Sequence, residues 1–199
     1  MFEDEIFENE YRSGTEGTEV PRAVLAGLDW DPNKDFGHSL YEMSALIEAC
    51  GMEVAEVFTQ KLPHPEAATY LGSGKAQELG ETVEICSADY CIFEGNLSPA
   101  QLKNLQKTVK VPIWDKTTLI LEIFSRRAKT REARLQVESA YLQYMLPRLS
   151  GMWEHLGRQS GNSGSRSNRG IGETQLELDR RQIKNRITEL RRELDNLEG

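Results

Sequence analysis

The residues best suited to binding chemistry in this sequence form a cationic loop, Gly157 to Gly172, that contains no acidic side chain. Gly, Ser and Asn make up most of the loop, and its three arginines are Arg158, Arg166 and Arg169. A guanidinium group can donate two hydrogen bonds to one phosphate, and no neighbouring carboxylate competes for these three groups. The loop is therefore a candidate nucleic-acid interface. A polar loop that only joins two packed helices is the alternative interpretation.

The loop is flanked by two stretches with the apolar spacing of paired helices. Apolar residues recur every seven positions on both sides, at Leu135, Leu142, Leu149 and Leu156 before the loop and at Leu176, Ile183, Leu190 and Leu197 after it. We predict helices over about residues 117–156 and 173–197 that fold back on each other as an antiparallel arm, with Leu135 facing Leu197. Pro147 predicts a kink in the first helix. The arm would hold the loop at its tip.

The two halves of the chain carry opposite net charge. Residues 1–115 contain 8 basic and 21 acidic side chains, a net charge of −13, whereas residues 116–199 contain 16 and 11, a net charge of +5. Arginine outnumbers lysine in the second half, which favours bidentate phosphate contacts, and Arg180 and Arg181 extend the candidate interface into the second helix. Arg191, Arg192, Glu189 and Glu193 instead fit a solvated helix face, because opposite charges three or four residues apart support an exposed helix.

A second candidate site is a phosphate-binding turn at Gly72, Gly74 and Lys75, ahead of a predicted helix. Backbone N–H groups of the two glycines could approach a phosphate, with the lysine as the counter-charge. The segment departs from a Walker A loop at Thr69, where that motif has glycine, and at Ala76, where it has a hydroxyl side chain. A turn that only caps the helix is the alternative.

No set of side chains in the sequence has the spacing of a catalytic or metal site. The three histidines are far apart and none has metal-ligand spacing, and no nucleophile is paired with a base. Cys50, Cys86 and Cys91 are too few and too scattered for a disulfide framework or a zinc site, so we interpret them as buried thiols. We therefore predict no catalytic residue, no metal site and no cofactor in this chain.

The first half of the chain alternates apolar strands with amphipathic helices. The predicted strands are residues 22–30, 53–59, 89–94 and 111–114, and the predicted helices are residues 38–50, 75–86 and 100–109. Ser98 ahead of a proline predicts a helix start, and Gly51 predicts a helix stop. We therefore predict an α/β domain over residues 21–115, with a small parallel four-stranded sheet flanked by helices. Residues 116–199 would form the helical arm, and the acidic residues 1–20 a flexible tail.

Longer motifs in the sequence resemble those of the HflX GTPases. They include Asp115-Lys-Thr-Thr-Leu-Ile-Leu-Glu-Ile-Phe124, Tyr144-Met-Leu-Pro-Arg-Leu149 and Arg169-Gly-Ile-Gly-Glu-Thr-Gln-Leu-Glu-Leu-Asp-Arg-Arg181. The Gly-Glu-Thr-Gln-Leu-Glu run within the last of these is specific to the family. The resemblance covers roughly Ala23 to Gly199. It implies an N-terminal fragment in which an α/β domain and a two-helix arm are present and the P-loop GTPase domain is absent.

The resemblance also implies a role in translation. The arm would bind RNA of the large ribosomal subunit toward the peptidyl-transferase region, and the parent protein would split or rescue stalled ribosomes using GTP and Mg²⁺. The tip departs from the family pattern at residues 160–168, which are longer and more polar. The residues that charge and resemblance together assign to nucleic acid are Arg158, Arg166, Asn168, Arg169, Gly170, Gly172, Arg180 and Arg181.

Two other functions remain open from the sequence. One is a nucleotide-binding α/β module that would use the turn at Gly72 to Lys75, and the other is a coiled-coil adaptor whose apolar seam pairs with another protein. Without a leader, a long apolar run or a lipidation motif, we expect a cytoplasmic protein with no membrane segment. We further expect a monomer whose partners are the large ribosomal subunit and its own C-terminal GTPase domain.

Overall fold

The computed structural model describes residues 20–149 and 168–198, with side chains over residues 20–149 and 177–197. The predicted tail at residues 1–20 therefore lies almost wholly outside the described residues. The strands are β1 (Arg22–Asp29), β2 (Glu53–Lys61), β3 (Tyr90–Phe93) and β4 (Ile113–Trp114). The helices are α1 (Phe36–Ala49), α2 (Ser73–Ile85), α3 (Pro99–Leu105), α4 (Lys116–Arg127), α5 (Arg131–Met145) and α6 (Asn168–Glu198), with a 3₁₀ turn at Leu146–Arg148.

The four strands form one parallel sheet in the order β2-β1-β3-β4, which confirms the predicted fold class. Strand β1 is central and six of its eight residues are buried, because helices cover both faces of the sheet. Strand β2 lies at the edge and is largely exposed or half-buried. The chain runs from β1 outward to β2 and then crosses to β3 on the other side, so the direction of winding reverses between β1 and β3.

Each face of the sheet packs against its own apolar cluster. On one face, residues of β1 and β3 pack with Leu79 and Val83 of α2 and Leu105 of α3. On the other face, residues of β1, β3 and β4 pack with Met43 and Ile47 of α1 and with α4. The α/β domain is therefore a three-layer structure with a core on both sides of the sheet.

Local sequence signals set the ends of these helices as predicted. Ser98 caps α3, since its hydroxyl accepts a hydrogen bond from the Gln101 N–H while the Gln101 side chain bonds the Ser98 N–H. Gly51 follows α1 with φ +74°, a left-handed conformation that glycine adopts without a steric penalty. Both predicted helix boundaries are confirmed.

Helix α4 corrects the predicted boundary between the α/β domain and the arm. We assigned residues 116–199 to the arm, but Leu119 of α4 is fully buried and packs with Ile123 in the core under the sheet. The Arg126 side chain also donates a hydrogen bond to the Cys50 carbonyl at the end of α1. The apolar side of α4 therefore packs against the sheet, and the arm begins at α5.

The two arm helices also differ from their predicted lengths. The single helix predicted over residues 117–156 is interrupted at Ala128, where the backbone is extended, and Thr130 then caps α5. The 3₁₀ turn contains Pro147, so the predicted distortion there is confirmed. Helix α6 begins at Asn168 rather than near residue 173. A glycine costs only about 1 kcal/mol inside a helix, so Gly170 and Gly172 do not stop it.

Candidate nucleic-acid interface

Helices α5 and α6 form an antiparallel pair, which is the structural basis of the arm. Arg131 of α5 pairs with Glu193 of α6 at 3.1 Å, and Glu138 pairs with Arg186 at 2.7 Å. The residue numbers on α6 fall as those on α5 rise, so the helices run in opposite directions. Arg131 and Glu138 are seven residues apart on α5, and Glu193 and Arg186 are seven residues apart on α6. Both ion pairs therefore belong to the same register of the two helices.

The apolar seam of this pair has a different register from the predicted one. Leu135 and Leu142 of α5 pack with Ile187 and Leu190 of α6. We predicted that Leu135 faces Leu197, but Leu197 is 46% exposed whereas Leu190 is 0% exposed. The prediction is wrong by about one heptad.

A seven-residue repeat cannot distinguish registers that differ by seven, which explains the error. The flanking charges make the distinction. In the predicted register Glu138 would lie level with the apolar Leu194, whereas in the structure Glu138 makes two hydrogen bonds to the Arg186 guanidinium, at 2.7 and 3.1 Å. A bidentate pair of this kind is stronger than a single contact and fixes one alignment.

The structure describes only some of the residues predicted to bind nucleic acid. Arg158 and Arg166 lie outside the described residues. Arg169, with Asn168, Gly170 and Gly172, falls in the first two turns of α6, where the structure gives the backbone alone. Arg180 is half-buried and Arg181 is exposed. The structure therefore places six of the eight residues within the first fourteen residues of α6, and their role in binding remains a prediction.

An outer basic face of α6, formed by Arg181, Lys184, Arg191 and Arg192, extends this interface along the helix. All four side chains are exposed. Within the side chains that the structure describes, no carboxylate lies within 4 Å of any of them. Sequence reasoning assigned only the first of the four to nucleic acid.

The acidic residues expected to neutralise this face are engaged elsewhere. Glu189 and Glu193 both face Arg186, at 3.5 and 3.7 Å, and Glu193 also binds Arg131 of α5. Arg191 and Arg192 are exposed, as expected for a solvated face, but the ion pairs of Glu189 and Glu193 are with other arginines. The pair of Glu193 with Arg131 could not be predicted from local spacing, because Arg131 is 62 residues away in sequence.

A buried hydrogen-bonded junction connects the arm to the α/β domain. Asp115, which follows β4 and caps α4, is 3% exposed. One of its carboxylate oxygens accepts from the N–H and hydroxyl of Thr118, both at 2.9 Å. The other accepts from the Leu97 N–H at 3.2 Å and from the hydroxyl of Tyr144 on α5. One carboxylate therefore bonds the sheet edge, α4 and the arm together.

Arg148 strengthens the same junction from the 3₁₀ turn. Its guanidinium carbon lies 3.7 Å from the centre of the Tyr144 ring, and it donates hydrogen bonds to the carbonyls of Tyr144 and Leu97 at 2.9 and 2.8 Å. Burial and then the hydrogen bond to Asp115 raise the pKa of Tyr144 to about 12. From the sequence, Arg148 is one of the arginines of the second half that favour phosphate contacts, but its guanidinium bonds within the chain. No local pattern connects Asp115 with Tyr144.

The predicted phosphate-binding turn has intramolecular partners. The Gly72 N–H donates to Gln60 Oε1 at 2.9 Å. The Lys75 ammonium pairs with Glu78 and lies 5.3 Å from the centre of the Phe58 ring. Gly74 is open, because an added Cβ would meet no atom within 4 Å. Two of the three groups are thus already bound within the chain, and the phosphate site stays a prediction without further support.

Glu94 is a buried carboxylate at the carboxyl end of β3, beside the point where the winding of the sheet reverses. It is 1% exposed and accepts hydrogen bonds from the Lys34 ammonium and the Ser39 hydroxyl. Open α/β sheets commonly bind ligands at such reversal points. Here the charge is already paired, and leaving a buried carboxylate without its partner is strongly destabilising.

Other candidate chemistry is sparse in the described part of the chain. Residues 20–149 and 177–197 contain no cluster of side chains arranged to hold a metal ion. In the same part, no helix is both long and apolar enough to cross a membrane. Cys50 and Cys91 are buried and Cys86 is half-buried, all as free thiols. Burial raises the pKa of Cys50 to about 11, which keeps this thiol protonated and unreactive near neutral pH.

Two protein-family models match consecutive parts of this chain, and they divide it where the structure does. A family model described as GTP-binding GTPase N-terminal matches residues 37–125, and one described as GTP-binding GTPase Middle Region matches residues 127–199. The boundary between the models falls at the end of α4. It therefore agrees with the assignment of α4 to the α/β domain.

Curated relatives and one solved structure extend this likeness. GTPase HflX of Spirochaeta thermophila is 40% identical over 92% of this chain and 44% of its own length. GTPase HflX of Escherichia coli is 41% identical over 89% of this chain and 41% of its own length. A GTP-binding protein from Sulfolobus solfataricus in complex with GDP has a TM-score of 0.58 at 22% identity, covers 88% of this chain and 46% of its own, and shares the fold.

This chain spans less than half the length of these curated relatives. Since the two consecutive family models together match most of the chain and the curated relatives share one name, the chain belongs to the HflX family of GTPases, within its N-terminal and middle regions.

Proposed function

We propose that this chain is the ribosome-binding region of an HflX-like GTPase, and that its arm binds RNA of the large ribosomal subunit toward the peptidyl-transferase region. The parent protein would split or rescue stalled ribosomes, using GTP and Mg²⁺ bound by a GTPase domain beyond the regions described above. The large ribosomal subunit and that domain are the proposed partners.

The observation that supports this proposal best is the length of α6. The helix has 31 residues, or about 45 Å. The ion pairs with α5 place Asp179 level with Met145, so the first eleven residues of α6 extend about 16 Å beyond α5. Arg169 lies near the end of this extension. The arm therefore carries its cationic end past the end of α5, where it can reach a narrow site lined by phosphates.

Binding to purified large ribosomal subunits tests the proposal. Replacement of Arg158, Arg166 and Arg169 by Ala should weaken binding and reduce the slope of log K against log salt by about 2, at roughly 0.7 per phosphate contact. Deletion of residues 160–168 should weaken binding as well, because it shortens the reach of the tip. Replacement of three exposed lysines of the α/β domain, Lys61, Lys107 and Lys110, is the matched control. Unchanged binding and salt dependence in both tip variants would contradict the proposal.

The alternatives proposed from the sequence have less support. A nucleotide-binding module would need the Gly72 N–H and Lys75, both of which have partners within the chain. An adaptor that pairs its apolar seam with another protein would need the surface that α5 and α6 bury against each other. A rise in melting temperature with ATP or GTP that is lost in Lys75→Ala would favour the nucleotide module, and a dimer in sedimentation would favour the adaptor.

A further inference from the structure

We propose that the outer basic face of α6 is a second RNA-binding surface, which contacts the sugar-phosphate backbone of double-helical RNA through Arg181, Lys184, Arg191 and Arg192. This inference rests on the proposed function for its partner, RNA. This surface is separate from the loop at the tip, and it would bind the backbone of duplex RNA.

The four cations form a stripe of two groups, Arg181 with Lys184 and Arg191 with Arg192, on one side of α6. At about 100° per residue they occupy a sector of the helix about 100° wide and a length of about 16 Å. The apolar seam, with Ile187 and Leu190, lies on a different side of α6 and packs against α5. The stripe therefore stays accessible when the arm is formed.

The cations of the stripe have no ion-pair partner among the side chains that the structure describes. Arg181 and Lys184 lie three residues apart, where like charges on a helix repel, and the acidic side chains of Glu189 and Glu193 are directed to Arg186. Glu177 and Asp195 are exposed on the same side of the helix, four residues before Arg181 and four residues after Arg191, and neither forms an ion pair with a cation of the stripe. A polyanion bound along the stripe would remove the repulsion, whereas water screens it only in part.

The side chains between the cations indicate which polyanion fits. Asn185 and Thr188 are exposed on the same side, and both can hydrogen-bond to phosphate or to a ribose hydroxyl. No aromatic side chain lies between Arg181 and Arg192 on this helix. Single-stranded bases are bound mainly by stacking on aromatic rings, so a face without rings fits the backbone of a duplex.

RNA is favoured over an acidic protein surface by the energetics of exposed charges. An exposed ion pair between protein side chains contributes little, because both groups lose hydration and freedom. A phosphate contact also releases a condensed counterion, and four such contacts act together. Four unpaired cations in a row thus match a regular row of phosphates better than scattered carboxylates.

The test compares the 199-residue chain with a variant in which Arg181, Lys184, Arg191 and Arg192 are replaced by Gln. The probes are purified large ribosomal subunits, a duplex RNA hairpin and poly(U). For the first two, the slope of log K against log salt should become less steep by about 3 to 4, at roughly 0.9 per contact. The ratio of the variant's Kd to that of the unmodified chain should then be about 100-fold larger at 50 mM than at 200 mM salt. Binding to poly(U) should change less.

Matched variants separate the stripe from net charge and from folding. Replacement of Lys61, Lys103, Lys107 and Lys110 by Gln removes the same charge from the α/β domain and should leave the salt slope unchanged. The double variant Asn185→Glu and Thr188→Glu keeps all four cations but places carboxylates among them, and it should weaken duplex binding with the arm intact. Circular dichroism checks the helix content of each variant.

The results distinguish failure of this inference from failure of the proposed function. If the unmodified chain binds neither the large subunit nor the hairpin, both are overturned. If it binds, but the four-Gln variant and the double-Glu variant bind with the same affinity and salt slope, only the second surface is wrong. An equal or larger loss on poly(U), or an equal loss in the lysine control, would also overturn it.

Discussion

The α/β domain and the helical arm handle charge in opposite ways. In the domain, Glu94 is buried and held by Lys34 and Ser39, and Asp115 is buried with all its hydrogen bonds made within the chain. In the described part of the arm, the buried residues are apolar apart from Ser139, and most charges of α6 lie exposed. The domain uses its charges to fix its own structure, whereas the arm leaves many of its charges available for a partner.

The two regions also differ in the size of their apolar cores. The domain has one cluster on each face of its sheet, while the described seam of the arm has a cluster of four buried residues, Leu135, Leu142, Ile187 and Leu190. Such a thin seam gives limited stability, because stability follows the apolar area removed from water. The arm therefore depends on the Asp115 junction for its direction and on a few leucines for its pairing.

Leu190→Ala should have the largest effect on the arm. Leu190 is 0% exposed, and truncation of a buried leucine costs about 2 to 5 kcal/mol. Because the loss falls on the arm, hydrogen exchange should accelerate across α5 and α6 while β1 and β3 keep their protection. Equal acceleration in the sheet would show that the two regions unfold as one unit.

Leu197→Ala is the control for the register of the seam. Leu197 is 46% exposed, so its truncation should change the free energy of unfolding by no more than about 0.5 kcal/mol. A cost equal to that of Leu190→Ala would favour the register predicted from the heptads instead.

Tyr144→Phe should have the next largest effect, because it removes the hydrogen bond that joins α5 to Asp115. A hydrogen bond to a charged group contributes about 1.5 to 3 kcal/mol, and Asp115 keeps its bonds to Thr118 and Leu97. The free energy of unfolding should therefore fall toward the lower end of this range. Small-angle scattering should show a broader distribution of arm directions. An unchanged distribution would mean that Arg148 and packing suffice to hold the arm.

The raised pKa of Tyr144 predicts a loss of folding stability at alkaline pH. The pKa of Tyr144 is about 12 in the folded protein, above its ordinary value of 10.0. Between these values the unfolded chain loses the proton first, so the contribution of Tyr144 to stability is present below pH 10 and declines from pH 10 to 12. Tyr70, also raised to about 12 by burial, contributes in the same window. Urea titrations across this range should show a shallower decline in Tyr144→Phe, and an identical decline would contradict the junction's role.

The fold was largely predictable because its signals are local or periodic. Apolar runs indicated the strands, Ser98 and Gly51 marked helix ends, and the alternation of strands and helices predicted the parallel sheet. Residues 116–127 were misassigned, since an amphipathic helix has the same pattern whether it packs on a sheet or on another helix. Leu119 shows which surface it covers only once the sheet is formed.

The candidate site was less predictable because its decisive contacts are long-range. Local spacing suggested that Glu193 balances its neighbours on α6, but Arg131 and Arg186 bind it instead. The bond between Asp115 and Tyr144 joins residues 29 positions apart, with no repeat to indicate it. Composition located the basic region, and the fold decided which of its cations are unpaired.

The smallest predicted effect concerns the two ion pairs that align α5 with α6. The Glu138–Arg186 pair is bidentate, with side chains 20% and 26% exposed, whereas Arg131 in the pair with Glu193 is 72% exposed. Partial burial reduces screening, so a double-mutant cycle with Ala should give a coupling of about 1 kcal/mol for the first pair and about 0.3 kcal/mol for the second. High salt should reduce the second coupling more. Equal couplings would mean that the seam alone sets the register. A larger first coupling would show that the arm also uses a partly buried charge pair to fix its own structure, as the domain does, and that the charges left over are those on its outer face.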